Sequence, residues 1–201
     1  GSEGNFFTDQ THFFNINPFF LSKPEAISLA DINRDGLEDI FFLFGNSPAS
    51  AYLNSTNNIF SQNRLSFDTL LNKQSWFAHV MGEINGDGFP DLVTAQFKDG
   101  KSYLETFYGN GTDFDYGDRI ELPDLINERA VENLSLTDLD SDGDLDLAVV
   151  FYLGRESETG TIIFFENSRW GRYSLIKTNN QKQFNGWNKQ TIFADFNNDG
   201  E

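Results

Sequence analysis

Four stretches of this chain set acidic or amide side chains at alternate positions around a glycine. In the first, Asp31, Asn33, Asp35 and Asp39 hold positions 1, 3, 5 and 9, Gly36 stands at position 6, and Leu37 offers its carbonyl at position 7. The second repeats this with Glu83, Asn85, Asp87, Asp91, Gly88 and the carbonyl of Phe89, Glu83 placing a longer arm at the opening position. The third is the most acidic, with Asp138, Asp140, Asp142, Asp146, Gly143 and the carbonyl of Asp144. The fourth keeps Asp195, Asn197, Asp199, Gly200 and the carbonyl of Glu201, and its position 9 would fall past residue 201.

An all-oxygen set at alternate positions suits a hard cation, above all Ca2+, which takes six to eight oxygens at about 2.3–2.6 Å. Mg2+ is the poorer fit, since it demands octahedral geometry and retains waters. An EF-hand opens similarly but needs a Glu at position 12, where this chain has Phe42, Thr94 and Val149. A metal-free reading stays open, because Asp, Asn and Gly favour tight turns on their own. Against it, four carboxylates within nine residues repel one another unless a cation neutralises them. Fifteen of the 31 acidic residues lie in the four stretches, so bound Ca2+ would cancel much of the net charge of −17.

The loops recur at steps of 52, 55 and 57 residues, and what surrounds them recurs as well. A short alternating stretch precedes each, as in Ala26–Ala30, Phe77–Met81, Leu134–Thr137 and Thr191–Ala194. An apolar run follows each of the first three, at Ile40–Phe44, Leu92–Phe97 and Leu147–Tyr152. A third strand is expected at Ala51–Leu53, Tyr103–Tyr108 and Thr161–Phe165. A weaker fourth is expected at Ile59–Ser61, at Phe114–Tyr116 or Arg119–Leu122, and at Tyr173–Ile176. Four short antiparallel strands per unit of about 50 residues is the arithmetic of a propeller blade. The fold class expected is therefore all-β: β-propeller blades of four antiparallel strands, forming a partial ring. The best helical window, Asp124–Glu132, is too short to change that class.

Residues 1–201 are expected to form one propeller segment of about three blades plus partial blades at both ends, with loops at 31–39, 83–91, 138–146 and 195–201. The sequence starts inside one unit and stops inside another, so the remaining blades are expected from further chain or from another subunit.

The loops Asp31-Ile-Asn-Arg-Asp-Gly-Leu-Glu-Asp-Ile, Glu83-Ile-Asn-Gly-Asp-Gly-Phe-Pro-Asp-Leu and Asp138-Leu-Asp-Ser-Asp-Gly-Asp-Leu-Asp-Leu resemble FG-GAP/VCBS repeats. The resemblance implies an integrin-α-like propeller, commonly of seven blades, with Ca2+ held between the first two strands of a blade and partners bound elsewhere on the ring. The Phe-Gly and Gly-Ala-Pro signatures of integrin blades are poorly kept, with only Phe44-Gly45 nearby at a different place, so integrin-like ligand recognition is not carried over.

Other function classes are disfavoured. With no Cys and only His12 and His79, thiol nucleophiles, thiolate metal sites and serine triads lack their parts. The acidic balance opposes nucleic acid, and no apolar run is long enough to insert into a membrane. The reading is a non-enzymatic protein-interaction or adhesion module, secreted or part of an ectodomain, with structural Ca2+ and protein partners on the propeller face. The alternative is a carbohydrate-binding or polysaccharide-active propeller. Three N-glycosylation sequons, at Asn54, Asn110 and Asn133, suit the extracellular placement. Trp76, Trp170 and Trp187 are candidates for a sugar platform, though blade packing is the expected role of each. His79 is expected to be structural, and Arg155–Gly160 a solvated hairpin tip.

Overall fold

The pleat of a β-strand sends successive side chains to opposite faces, and here the central strands are apolar on both faces, so both must be covered. A computed structural model describes residues 24–44, 49–56, 59–63, 75–123, 131–152, 159–176, 183–185 and 193. Strands are the only regular elements among them. The first sheet is β1 (Pro24–Ala30), β2 (Asp39–Phe44), β3 (Ser50–Leu53) and β4 (Ser61–Asn63), each paired antiparallel with the next in sequence. The second is β5 (Ser75–Gly82), β6 (Asp91–Lys98), β7 (Lys101–Gly109) and β8 (Phe114–Glu121). The third is β9 (Val131–Thr137), β10 (Asp146–Tyr152), β11 (Thr159–Asn167) and β12 (Tyr173–Leu175), with β13 (Gln183–Asn185) pairing the other end of β11. Three open antiparallel sheets of this up-and-down order are propeller blades, and the all-β expectation holds.

Four details differ from the sequence reading. The fourth strand of the first blade is Ser61–Asn63, not Ile59–Ser61, because that is the stretch whose backbone pairs with Ala51–Leu53 of β3. Thr159 and Gly160, expected in the solvated tip, instead open β11 and pair with β13. The two alternatives for the fourth strand of the second blade are one strand, Phe114–Glu121, made continuous by a register shift opposite Glu105 and Phe107. Val131 and Glu132, placed in the helical window, instead open β9. The fourth loop, residues 124–130, the tip at 155–158, Trp187 and the side chain of Trp76 lie outside the described residues. Among the described residues no helix is long and apolar enough to cross a membrane.

The blades stack face to face. β6 shows the logic: Leu92 points into a core shared with Phe41, Leu43 and Ala51 of the first blade, while Val93 and Ala95 point into a core shared with Leu147, Val149 and Phe165 of the third. Burying aromatics such as Phe41, Phe107, Phe151 and Phe165 contributes roughly 1.5–3 kcal/mol each. The first strands of successive blades lie side by side, β1 against β5 and β5 against β9, as inner strands around a propeller axis do. Position 2 of the first two loops also enters this scheme: Ile32 joins the core between blades one and two, and Ile84 joins that between blades two and three.

His79 sits on β5 at the first of these interfaces, with its Nδ1 buried and without a hydrogen-bond partner. Its Nε2 lies 2.7 Å from Ser28 Oγ on β1, and its ring meets Phe41 edge-on with centroids 5.3 Å apart. Burial pushes its pKa down from 6.5 to about 4. Between those values the unfolded chain binds more protons than the folded one, so this contribution to stability is complete above about pH 6.5 and declines as pH falls. From this group, urea unfolding should lose about 2 kcal/mol between about pH 7.5 and pH 5. His79→Gln should remove that part of the slope, and an unchanged slope in the variant would refute the assignment.

Candidate metal-binding loops

Each described loop joins the first two strands of its blade, and each needs left-handed backbone at positions 4 and 6. Position 4 is Arg34, Gly86 or Ser141, with φ of 59°, 85° and 63°, and position 6 is Gly36, Gly88 or Gly143, with φ of 87°, 87° and 94°. Glycine reaches such angles at little steric cost, which explains its presence at position 6. The acidic side chains bend the backbone around themselves. Asp35 N donates to Asp31 Oδ1 and to Asn33 Oδ1 at 3.0 Å each, Gly36 N to Asp31 Oδ2 at 2.8 Å, and Leu37 N to Asp35 Oδ1 at 2.9 Å. The third loop repeats the set: Asp142 N donates to Asp138 and Asp140, Gly143 N to Asp138, and Asp144 N to Asp142. In the second loop the longer Glu83 caps earlier N–H groups, its Oε1 accepting from Asn85 and Gly86. Its opening position is thus built differently.

Position 9 holds the loop to the blade. Asp39, Asp91 and Asp146 are essentially fully buried, at 0%, 0% and 1% exposure. One carboxylate oxygen of each accepts from the N–H at position 2, namely Ile32, Ile84 or Leu139, at 2.8–2.9 Å. The other accepts from an N–H just past or at the end of the third strand, namely Asn54, Gly109 or Asn167, at 2.7–2.8 Å. Burial pushes the Asp91 pKa up to about 6, against the two N–H donors and with the added repulsion of Asp87 and Glu83. Asp39 is raised for the same leading reason. A buried carboxylate among other acids is the electrostatic setting in which a cation lowers the energy.

In the third loop, carboxylate oxygens of Asp138, Asp140 and Asp146 lie within 4.8 Å of one another. Desolvation raises the Asp140 pKa, as do the charges of Asp142, Asp146 and Asp138. Asp144 Oδ2 is buried without a hydrogen-bond partner. The donor set is wholly oxygen, so the residues fit a hard cation such as Ca2+, which Asp138, Asp140 and Asp146 would hold first, with Asp142 and Asp144 beside them. In the first two loops the third position is Asn33 or Asn85, and each amide donates to Asp35 or Asp87 instead of bringing a further charge. Asp31 and Glu83 cap backbone N–H groups, while Leu37 and Phe89 stand at position 7, each N–H held by the position-5 carboxylate. The ligands proposed in the fourth loop, Asp195, Asn197, Asp199 and Glu201, fall outside the described residues.

Sequence reasoning missed the third-strand partners of position 9 and the contacts between loops. Asn54, Gly109 and Asn167 follow the position-9 Asp by 15, 18 and 21 residues, and this changing interval hides them. Asn167 Nδ2 also donates to Ile84 O in the second loop at 2.9 Å. The second loop is flanked on both sides: the Arg34 guanidinium lies 5.0 Å from the Phe89 ring centroid, and a Cβ on Gly86 would stand 4.0 Å from the Trp170 ring. Trp170 departs from the expected packing role, being 70% exposed, with its carbonyl accepting from Tyr108 Oη.

Residues 31–94 and 83–149 each match the family model described as FG-GAP-like repeat, together more than half of the chain. A comparison with curated proteins found no match.

The second blade makes its clasp with a glycine because nothing larger fits. A Cβ on Gly109 would stand 2.1 Å from Pro90 O, a backbone atom of the loop itself. Gly109→Ala should lower unfolding stability by about 1–3 kcal/mol in urea titrations. An unshifted midpoint would show that the loop is not held against β7 as described.

Proposed function

This chain belongs to the FG-GAP-like repeat family, and from that premise we propose a non-enzymatic, extracellular or cell-surface interaction module whose blade loops hold structural Ca2+. The observation that carries the reading is the convergence of Asp138, Asp140 and Asp146 in a loop whose last acid is buried and tied into the blade. A cation there would neutralise the loop and stiffen the hairpin between β9 and β10. Protein partners then use the face of a propeller whose loops no longer repel. The family's usual setting supports the extracellular placement, as do millimolar calcium levels outside cells, since extracellular modules bind at about 10⁻⁴–10⁻³ M. Loop style and spacing also resemble T-cell immunomodulatory protein, a likeness that brings no residue role with it.

A ligand that binds only the folded state stabilises it by about 2.7 kcal/mol at one hundred times its Kd. Thermal melting in EDTA and then in excess Ca2+ should therefore show a rise of about 5–10 °C on calcium addition. Asp140→Asn with Asp142→Asn should remove the third loop's share of that rise. A melting temperature indifferent to calcium would end the metal reading.

One observation favours carbohydrate recognition as a second reading: the exposed indole of Trp170 beside the second loop. Aromatic faces of this kind stack on sugar rings. A glycan array with and without calcium tests it. Binding that disappears in Trp170→Ala supports it, and a blank array removes it.

A further inference from the structure

Asn167 closes β11 and touches two loops at once. Its backbone N–H donates to Asp146 Oδ1 in its own blade at 2.8 Å, and its side-chain amide donates to Ile84 O in the preceding blade at 2.9 Å. Ile84 N in turn donates to Asp91 Oδ2 at 2.9 Å. A continuous path thus runs from the position-9 carboxylate of the third loop to that of the second, through four residues that are all 0–3% exposed. The amide orientation is set by two carbonyls, because Nδ2 also donates to Leu145 O at 3.3 Å. Reversing it would put Oδ1 against both carbonyl oxygens. Oδ1 itself is buried with no hydrogen-bond partner, so the side chain gives up its acceptor to keep both donor bonds.

The other blades do not repeat this bridge among the described residues. Asn54 Nδ2 donates to Glu38 O of its own loop, the counterpart of Leu145 O, and Gly109 has no side chain. Asn167 is therefore a specific addition at the junction of the second and third blades, where hydrogen bonds in a low-dielectric path polarise one another.

We propose that Asn167 is a positioning residue that couples calcium binding at the second and third loops. The inference rests on the reading of those loops as calcium sites. A cation that fixes the Asp146 carboxylate also fixes the N–H it holds, hence the Asn167 amide and the backbone of loop two up to Asp91. Coupling between sites is reciprocal, and the two occupancies should favour each other by about fivefold, the scale of one buried hydrogen bond.

The proximity of Trp170 to Gly86 supplies a local readout. Terbium bound in the second loop should luminesce on indole excitation, the signal disappearing in Trp170→Phe and in Asp87→Asn, and calcium displaces it with a measurable midpoint. The third loop is silenced by Asp140→Asn with Asp142→Asn, which leaves both Asp146 bonds in place. Silencing should raise the calcium midpoint at the second loop about fivefold in the parent chain, and by less than about twofold in Asn167→Gly, which keeps the backbone N–H and copies Gly109. Asn167→Ser serves the same purpose should the glycine variant fail to fold. Equal shifts with and without the Asn167 amide, or no shift in the parent, overturn the coupling while leaving the calcium sites standing. Absence of terbium and calcium uptake at both loops overturns the calcium reading and the coupling with it.

Discussion

A carboxylate buried at the ninth position of each loop accepts one N–H from the start of the loop and one from the third strand. Burying a carboxylate costs several kcal/mol after relaxation, and hydrogen bonds to a charged group recover about 1.5–3 kcal/mol each. The balance is close, as the raised pKa of Asp91 expresses. Much follows from this interaction. It fixes where the loop begins relative to β3, β7 or β11, so it sets the register of three strands at one end of every described blade.

The clasp also explains why position 2 matters. The N–H held by the buried carboxylate belongs to Ile32 or Ile84, whose side chains enter the cores between blades. Loop and interface are consequently parts of one packing unit. In the third loop the same position is Leu139, which is partly exposed, while its N–H is held in the same way. The backbone bond is common to all three loops, and the side-chain environment varies with what lies beside each blade.

The second loop is the most altered and the most surrounded. Glu83 reaches past the geometry of an Asp and caps different N–H groups, while Arg34 and Trp170 approach from the neighbouring blades. Arg169 and Trp170, two consecutive residues with side chains, adopt φ of 70° and 63° in the turn that carries this indole. Left-handed backbone costs roughly 1–2 kcal/mol per such residue. Tyr108 Oη bonding to Trp170 O and the packing of Gly171 on the Tyr108 ring hold that turn in place.

Strands, loops and their recurrence could be read directly from the sequence, because both signals are local. Alternation over four or five residues marks β1, β5 and β9, and Asp or Asn at alternate positions with Gly36, Gly88 or Gly143 marks the loops whatever surrounds them. The continuous apolar runs at Ile40–Phe44 and Leu147–Tyr152 likewise marked strands, and it is the structure that shows both faces covered, since the adjacent residues Phe41 and Phe42, and Leu147 and Ala148, are all buried. The fourth strand of the second blade was ambiguous because Phe114–Glu121 is largely exposed, so its pairing with β7 depends on backbone bonds more than on an apolar pattern. Tertiary structure alone decided which N–H groups the buried carboxylates hold, that Trp170 faces solvent, and that Asn167 reaches Ile84 across 83 residues of chain. The physical reason is the same in each case: residue type and short spacing record what a side chain does to its own turn, whereas a hydrogen bond between blades exists only once the sheets have stacked.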